Sequence, residues 1–511
     1  MLQAEKIVLG VLPIPYYAKI RLYKNYFFVA SHPEREITIE SEVCMSRIEK
    51  DFLGERELPD DAYYGVQTLR GKENFQITGL PMSMEPDMVK AFGYVKKAAA
   101  MANRDCGALK NDTAEVIIKA CDKVINGDFD KQFVLDFIQG GAGTSTNMNA
   151  NEVIANVALE ILGKEKGDYA VVSPNDHVNC SQSTNDTYPS AFRLALIMRL
   201  KEYAQTLKEL QDAFKAKGDE FARVLKMGRT HLQDAVPMSM GSEFHGFATT
   251  MGEEIERILE SQNLLREINL GATAIGTRVN TPPEYPEKAV KHLAELTGID
   301  FVLSSDLIEA TSDTGAYVQL SGVLKRTAVK LTKICNDLRM LASGPRCGLN
   351  ELFLPQMQPG SSIMPGKVNP VIPEVVNQTS FLVIGLDTTV TLAASAGQLQ
   401  LNVMEPVIGF ALFTSISTMQ NAVASLTENC IKGIKANAEH TEAMVMNSVG
   451  IITQLVPILG YKPCAEIARE AFEQNKSLYD IVVTEKKLVS PEKWAEVFSF
   501  ENLISPKYIK N

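Results

Sequence analysis

Between Thr388 and Thr427 the chain runs 40 positions with one charged residue, Glu405. Such a stretch narrows the choice of folds sharply. It crosses a bilayer, or it is a helix hidden inside protein. The portion 406–427 is free of charge and long enough to span. Yet it holds Thr414, Ser415, Ser417, Thr418, Gln420, Asn421, Ser425 and Thr427, and it lacks basic flanks. The reading is a helix buried on all sides. A water-soluble chain covers such a helix most readily by packing it against other subunits, so an obligate oligomer is expected and a membrane partner is not.

The rest of the chain supports a mostly helical reading from Met84 onward. Leu196, Leu200, Tyr203, Leu207, Leu210, Phe214 and Phe221 recur in steps of three and four with one skip. The spacing predicts a helix opening near Pro189 and running to about Lys226. Leu320, Leu324, Leu331, Ile334, Leu338 and Leu341 mark a second. Segments 238–269, 371–396 and 403–434 read as three more, which together suggest an elongated bundle. Strand signals are confined to 47–80 and the C-terminus. Within residues 1–44 the run from Ile7 to Tyr17 is apolar and follows Lys6, but Pro13 and Pro15 break it. With no small-x-small cleavage site after it, the segment reads as an extension upstream of Met45 rather than a targeting signal.

The charges sum to 51 − 62 = −11, against an electrostatic nucleic-acid partner. The 8 cysteines form no C-x-x-C pair and the 6 histidines no H-x-x-x-H, against a disulfide scaffold or a zincin and in keeping with a reducing cytoplasm.

The breaks between helices carry the chemistry. Segment 343–370, with four glycines and five prolines, cannot be regular helix, and its length marks it as functional or disordered. Its apolar Leu352, Phe353, Leu354, Ile363 and Met364 argue against disorder. Three more segments are rich in Ser, Thr and Asn: G-G-A-G-T-S-T-N-M-N-A-N-E at 140–152, N-C-S-Q-S-T-N-D at 179–186 and G-R-T-H-L-Q-D-A at 228–235. Each is expected to lie just before a helix, where free N–H donors bind anions. Simple N-capping explains any one of them. Three together, with Ser361, Ser362, Lys367 and Asn369 in the Gly/Pro loop, favour a binding role. No Walker A or dinucleotide spacing is present, so a small carboxylate ligand fits better than a phosphate.

G-S-S-I-M-P-G-K-V-N at 360–369 resembles the signature of the fumarase/aspartase superfamily. G-T-S-T-N-M-N, S-Q-S-T-N-D and G-R-T-H resemble that superfamily's other loops, in the same order. Y-Y-G-V-Q-T at 63–68, G-L-N-E at 348–351, V-I-P-E-V-V-N-Q at 371–378 and G-Q-L-Q-L-N-V-M-E-P-V-I at 397–408 are similar to the aspartase branch. The fumarase branch is the alternative, and a non-catalytic crystallin-like relative is a third reading. The resemblance implies a mostly α, three-domain protomer with a central long five-helix bundle: an extension 1–44, then domains at 45–184, 185–439 and 440–511. It implies a homotetramer whose twenty central helices pack together, with each site assembled from three subunits.

The substrate and product so implied are L-aspartate and fumarate. Ser361 would be the general base, with Lys367 and His231 the other catalytic residues. Thr144, Ser183, Thr184 and Ser362 would hold the β-carboxylate. Thr230 and Lys367 would hold the α-carboxylate with Asn369 beside them, and Asn185 and His231 would lie near the amino group. Gly360 and Gly366 would be hinges of a closing loop. His177 is read as structural. No cofactor or metal is required, although some relatives are activated by magnesium.

Overall fold

The computed structural model describes residues 46–505. The expected leader at 1–44 lies outside them. The described residues build a mostly α fold whose strands are short two-stranded pieces.

The chain opens with a hairpin, β1 (Ser46–Asp51) and β2 (Gly54–Pro59), then α1 (Val66–Asn74). The start of α1 has no side-chain cap of its own. Distant carboxylates supply it instead. Glu152 accepts from the N–H groups of Gly65, Gln67 and Thr68, and Glu49 accepts from that of Val66. Four orphan donors at a helix start are thereby satisfied. Helices α2 (Pro86–Asp105), α3 (Asn111–Ile125) and α4 (Thr144–Ile161) follow. Fourteen consecutive residues of α4, Thr146–Leu159, are buried.

Helix α5 (Thr184–Glu220) is 37 residues, about 55 Å at 1.5 Å per residue. It starts five residues before Pro189 and ends before the expected Lys226. Proline has no N–H to give Asn185, which would break the ladder. The Asn185 carbonyl accepts from Asn269 Nδ2 at 3.1 Å instead, so the helix continues through the proline.

A hairpin of β3 (Leu225–Thr230) and β4 (Gln233–Ser239) separates α5 from α6 (Met240–Leu265). A two-residue parallel pairing, β5 (Glu267–Ile268) on β6 (Val302–Leu303), brackets α7 (Tyr285–Thr297). Then come α8 (Leu307–Ser312), α9 (Gly315–Leu341), α10 (Val371–Ser395) and α11 (Glu405–Asn429). The five long helices α5, α6, α9, α10 and α11 are those the periodicity picked out. Helix α5 packs on α6 and α11, and α10 on α9 and α11. Phe192 meets Tyr317 at 4.7 Å and Phe413 at 5.4 Å between ring centres, tying α5, α9 and α11 together.

The charge-poor stretch divides in two, and its halves differ. Helix α11 is long and apolar enough to cross a membrane, yet its own chain covers it and leaves little but Asn421, Ala424 and Glu428 exposed. Helix α10 instead exposes Val375 (43%), Phe381 (58%), Leu382 (47%) and Leu392 (65%) along one face. The helix uncovered by its own chain is therefore α10, whose apolar face begins ahead of the stretch the sequence singled out.

The C-terminal part is helical, with α12 (Ala438–Asn447), α13 (Val456–Leu459) and α14 (Tyr461–Gln474), and not the strands considered there. It has a core of its own, in which Leu225 and Met227 of β3 join Val445, Ile451, Ile467 and Ile481.

Candidate active site

Two of the polar segments lie where expected, 140–143 and 179–183 just ahead of helices, but their remaining residues form the first turns of those helices. Residues 144–152 already belong to α4, and Thr184–Asp186 to α5. The third, 228–235, is a β-hairpin tip with no helix behind it until Met240. The reason is local. His231 and Leu232 both take positive φ, 54° and 63°, and turn the chain straight back so that Thr230 pairs with Gln233.

The candidate residues fall into three groups. The first comprises Thr144, Ser183, Thr184 and Asn185, where the starts of α4 and α5 converge. Gly143 caps α4 in the left-handed conformation, φ 85°, and a Cβ there would lie 2.3 Å from the Tyr188 ring. Only glycine lets the two helix starts pack this closely. Thr184 Oγ1 accepts from Asn147 Nδ2 across the junction at 3.1 Å. Ser183 is the N-cap of α5 in a capping box: its hydroxyl accepts from the Asn185 N–H while Asp186 accepts from the Ser183 N–H. Capping uses a lone pair on Ser183 and leaves its O–H proton for a ligand. Asn185 Nδ2 donates to the Ala274 carbonyl, so the free end of its amide is the acceptor oxygen. The Thr144 hydroxyl donates to the Gly141 carbonyl at 2.7 Å and must rotate before it can donate elsewhere.

Asp186 anchors this group. It is buried and accepts from the N–H groups of Ser183, Gly271 and Thr273. Burial nonetheless pushes its carboxyl above the ordinary value, against those hydrogen bonds. Beneath lies a lysine that the sequence reading passed over. Lys96 of α2 is fully buried, and its ammonium donates to Asn147 Oδ1 (2.7 Å), Asn179 Oδ1 (3.0 Å) and Gln182 Oε1 (2.9 Å). Its signal was a charge at core spacing, four residues after buried Phe92 and three before buried Ala99. The Gly271–Ala274 segment was missed as well; it carries no motif until its contacts with Asp186 and Asn185 are seen.

The second group is Thr230 and His231, both exposed at the hairpin tip. The third is the long loop. Its foot is pinned: Glu351, almost wholly buried, pairs with Lys226 (3.1 Å) and Arg229 (2.5 Å) of β3, and Leu352–Phe353 pairs with Lys435–Ala436. Its tip is exposed but organised by its own bonds. The Gly360 N–H donates to the Lys367 carbonyl and Asn369 Nδ2 to the Gly360 carbonyl, both at 2.7 Å. Within this closure the N–H groups of Ile363 (3.2 Å) and Met364 (3.0 Å) both donate to Ser361 Oγ. Gly360 is less a hinge than a close-packing position, since a Cβ would meet the Lys367 carbonyl oxygen at 2.7 Å. Gly366 has the positive φ, 80°, with open space around it. Ser362 and Lys367 face solvent on this tip.

Among the described residues no hydrogen bond or ion pair joins a candidate of one group to a candidate of another. His177 is spoken for: its Nδ1 accepts from the Ser173 N–H at 2.9 Å, in line with a structural role.

The protein is thus a helical bundle with three separate polar groups, one a serine loop closed on itself, and comparison with known proteins gives its class. The family described as "Lyase" matches residues 54–385, and "Fumarase C C-terminus" matches 451–505. The chain belongs to the fumarase/aspartase superfamily of lyases. Within it the likeness is to aspartate ammonia-lyases. That of Pseudomonas aeruginosa is 55% identical over 92% of this chain and 99% of its own length. That of Helicobacter pylori strain J99 is 54% identical over 91% and 99%. Among solved structures, a "fumarate lyase:delta crystallin" from Brucella melitensis bound to cobalt superposes with a TM-score of 0.87 at 50% identity, covering 89% of this chain and 99% of the other.

Proposed function

We propose that this protein converts L-aspartate reversibly to fumarate and ammonia. What carries the reading is likeness to aspartate ammonia-lyases along nearly the whole of both chains. The chemistry asks for a base at the carbon next to the β-carboxylate. The proton leaves to the base, its electron pair is held by the carboxylate as an aci-dianion, then forms the double bond as the C–N bond breaks and ammonia departs. The C–H proton is weakly acidic, so the dianion needs preorganised donors, each worth roughly 3 kcal/mol where one has been removed from other enzymes.

Ser361 is the base in this reading. Two N–H groups already aimed at its Oγ favour the charged form and lower the cost of deprotonating it. The Ser183 and Thr184 hydroxyls, with Ser362 and a rotated Thr144, receive the β-carboxylate. Lys367 and Thr230 hold the α-carboxylate beside Asn369. The free Asn185 oxygen suits an ammonium donor, with His231 nearby. No redox or pyridoxal group takes part in this scheme, and magnesium is a variable for the assay.

The three groups meet between chains. The apolar face of α10 supports a homotetramer built on it, since burying a Val, Leu or Phe side chain yields about 1.5–3 kcal/mol. Such an enzyme is soluble and works in the cytoplasm. The test is fumarate formation, followed by ultraviolet absorbance, with aspartate and malate in parallel. Turnover of aspartate is expected, and turnover of malate alone would make the protein a hydratase.

A further inference from the structure

Lys96 makes no contact with any candidate substrate-binding atom, yet its bonds decide which way one of them points its proton. An ammonium has three donors and no acceptor, so every side-chain atom it meets must be an acceptor. It meets three amide oxygens, those of Asn147, Asn179 and Gln182. Their orientation is thereby forced. With Oδ1 held by the lysine, the Asn147 amide turns its Nδ2 to Asn179 Oδ1 (3.1 Å) and Thr184 Oγ1 (3.1 Å). The Asn179 oxygen, shared by Lys96, Asn147 and Asn151, is saturated and cannot reverse the order. A hydroxyl that accepts from an N–H directs its own proton elsewhere, and Thr184, although buried, keeps 8% of its surface exposed.

We infer that Lys96 is a positioning residue: through Asn147 it makes Thr184 an obligate hydrogen-bond donor to a substrate carboxylate. The inference rests on the proposed site, in which Thr184 faces that carboxylate. An unheld asparagine could flip and present its oxygen to Thr184, and the threonine proton would then turn inward. The buried ammonium removes that alternative. It also explains a charged residue in the core of α2, where burial unsupported by acceptors costs several kcal/mol.

The experiment is a double-mutant cycle read by calorimetric binding of fumarate to the full-length protein at about pH 6, where Lys96 carries its proton, with aspartate kinetics beside it. Thr184→Val and Lys96→Met should each weaken fumarate binding about 10-fold, the loss of one hydrogen bond to a charged group. The double variant should be no weaker than Thr184→Val alone, because both act on one donor. Thr184→Ser should restore the affinity, which a packing role would not require. Asn147→Asp guards against a misfolded lysine variant: it keeps an acceptor for Lys96 but presents only oxygen to Thr184. It should match Thr184→Val in fumarate affinity with oligomer size and thermal midpoint near wild type. Multiplicative losses in the double variant, or an Asn147→Asp protein that binds fumarate normally, would overturn the inference. Fumarate binding is read without turnover, so failure of aspartate deamination would be seen separately.

Discussion

The start of α5 and the tip of the Ser361 loop are both rich in hydroxyls, but they are ordered in different ways. The helix start is over-determined. Asp186 takes three backbone N–H groups, Lys96 takes three amide oxygens, and Gly143 lets α4 close on Tyr188. The loop tip has no such support. Gly360, Ser361, Met364, Lys367 and Asn369 bond to one another, while residues 362–368 face solvent. The contrast teaches a division of labour. In the proposed reading Ser183 and Thr184 are fixed before the carboxylate arrives. Ser361, the proposed base, sits on a unit that holds its own shape by bonds within the tip, as a base serving a site on a neighbouring copy would need.

The sharpest break is chemical. Ser361→Ala should lower turnover by about 10³-fold or more, the scale of a lost general base, with oligomer size unchanged by light scattering. Near-normal turnover would remove the serine from its role. Lys367→Ala, also on the tip, should cut kcat/KM about 100-fold through loss of a charged donor, without lowering the thermal midpoint, because the side chain is exposed. Unchanged KM and kcat would contradict its assignment.

Leu392→Arg probes the proposed assembly of the two regions. Replacing a 65% exposed leucine on α10 should leave helix content intact by circular dichroism while sedimentation shows smaller species and activity falls with them. An intact, active tetramer would mean that α10 is not the interface.

The smallest effect belongs to the helix start. Lys96 is pushed down to about 7 from its ordinary 10.5, chiefly by burial, with Asp186 and then Cys121 acting the other way. Between about pH 7 and 10.5 the unfolded chain then binds the extra proton, so wild-type stability measured against Lys96→Met should rise with pH across that window and level off above it. A difference that is flat with pH would show that the lysine titrates alike in both states.

Much of this is legible in the sequence. The five long helices announced themselves because their apolar residues repeat at the helical period. The serine loop announced itself because glycines and prolines forbid a helix there. What was hidden follows from the same physics. Serine, threonine and asparagine read as loop, yet residues 144–152 are helical because tertiary packing buries most of that turn-rich segment. Pro189 read as a helix start, but Asn269 supplies the bond it removes. The 225–239 hairpin gave no hairpin signal because its turn is His231-Leu232, where glycine or asparagine is the usual choice. Lys96 was invisible as a network member because its three acceptors come from α4 and the turn at 179–182, more than 50 residues away in sequence.

The central claim is that the serine loop and the helix-start cluster of one working site come from different chains. Subunits carrying Ser361→Ala and subunits carrying Thr184→Val together with Ser183→Ala, each impaired alone, can be unfolded together, mixed in equal amounts and reassembled. If the two regions meet between copies, about one quarter of the sites in a random mixture receive both intact regions, and activity should recover toward that fraction. Activity no greater than the sum of the separately reassembled variants would place both regions of each site on one chain and contradict the account.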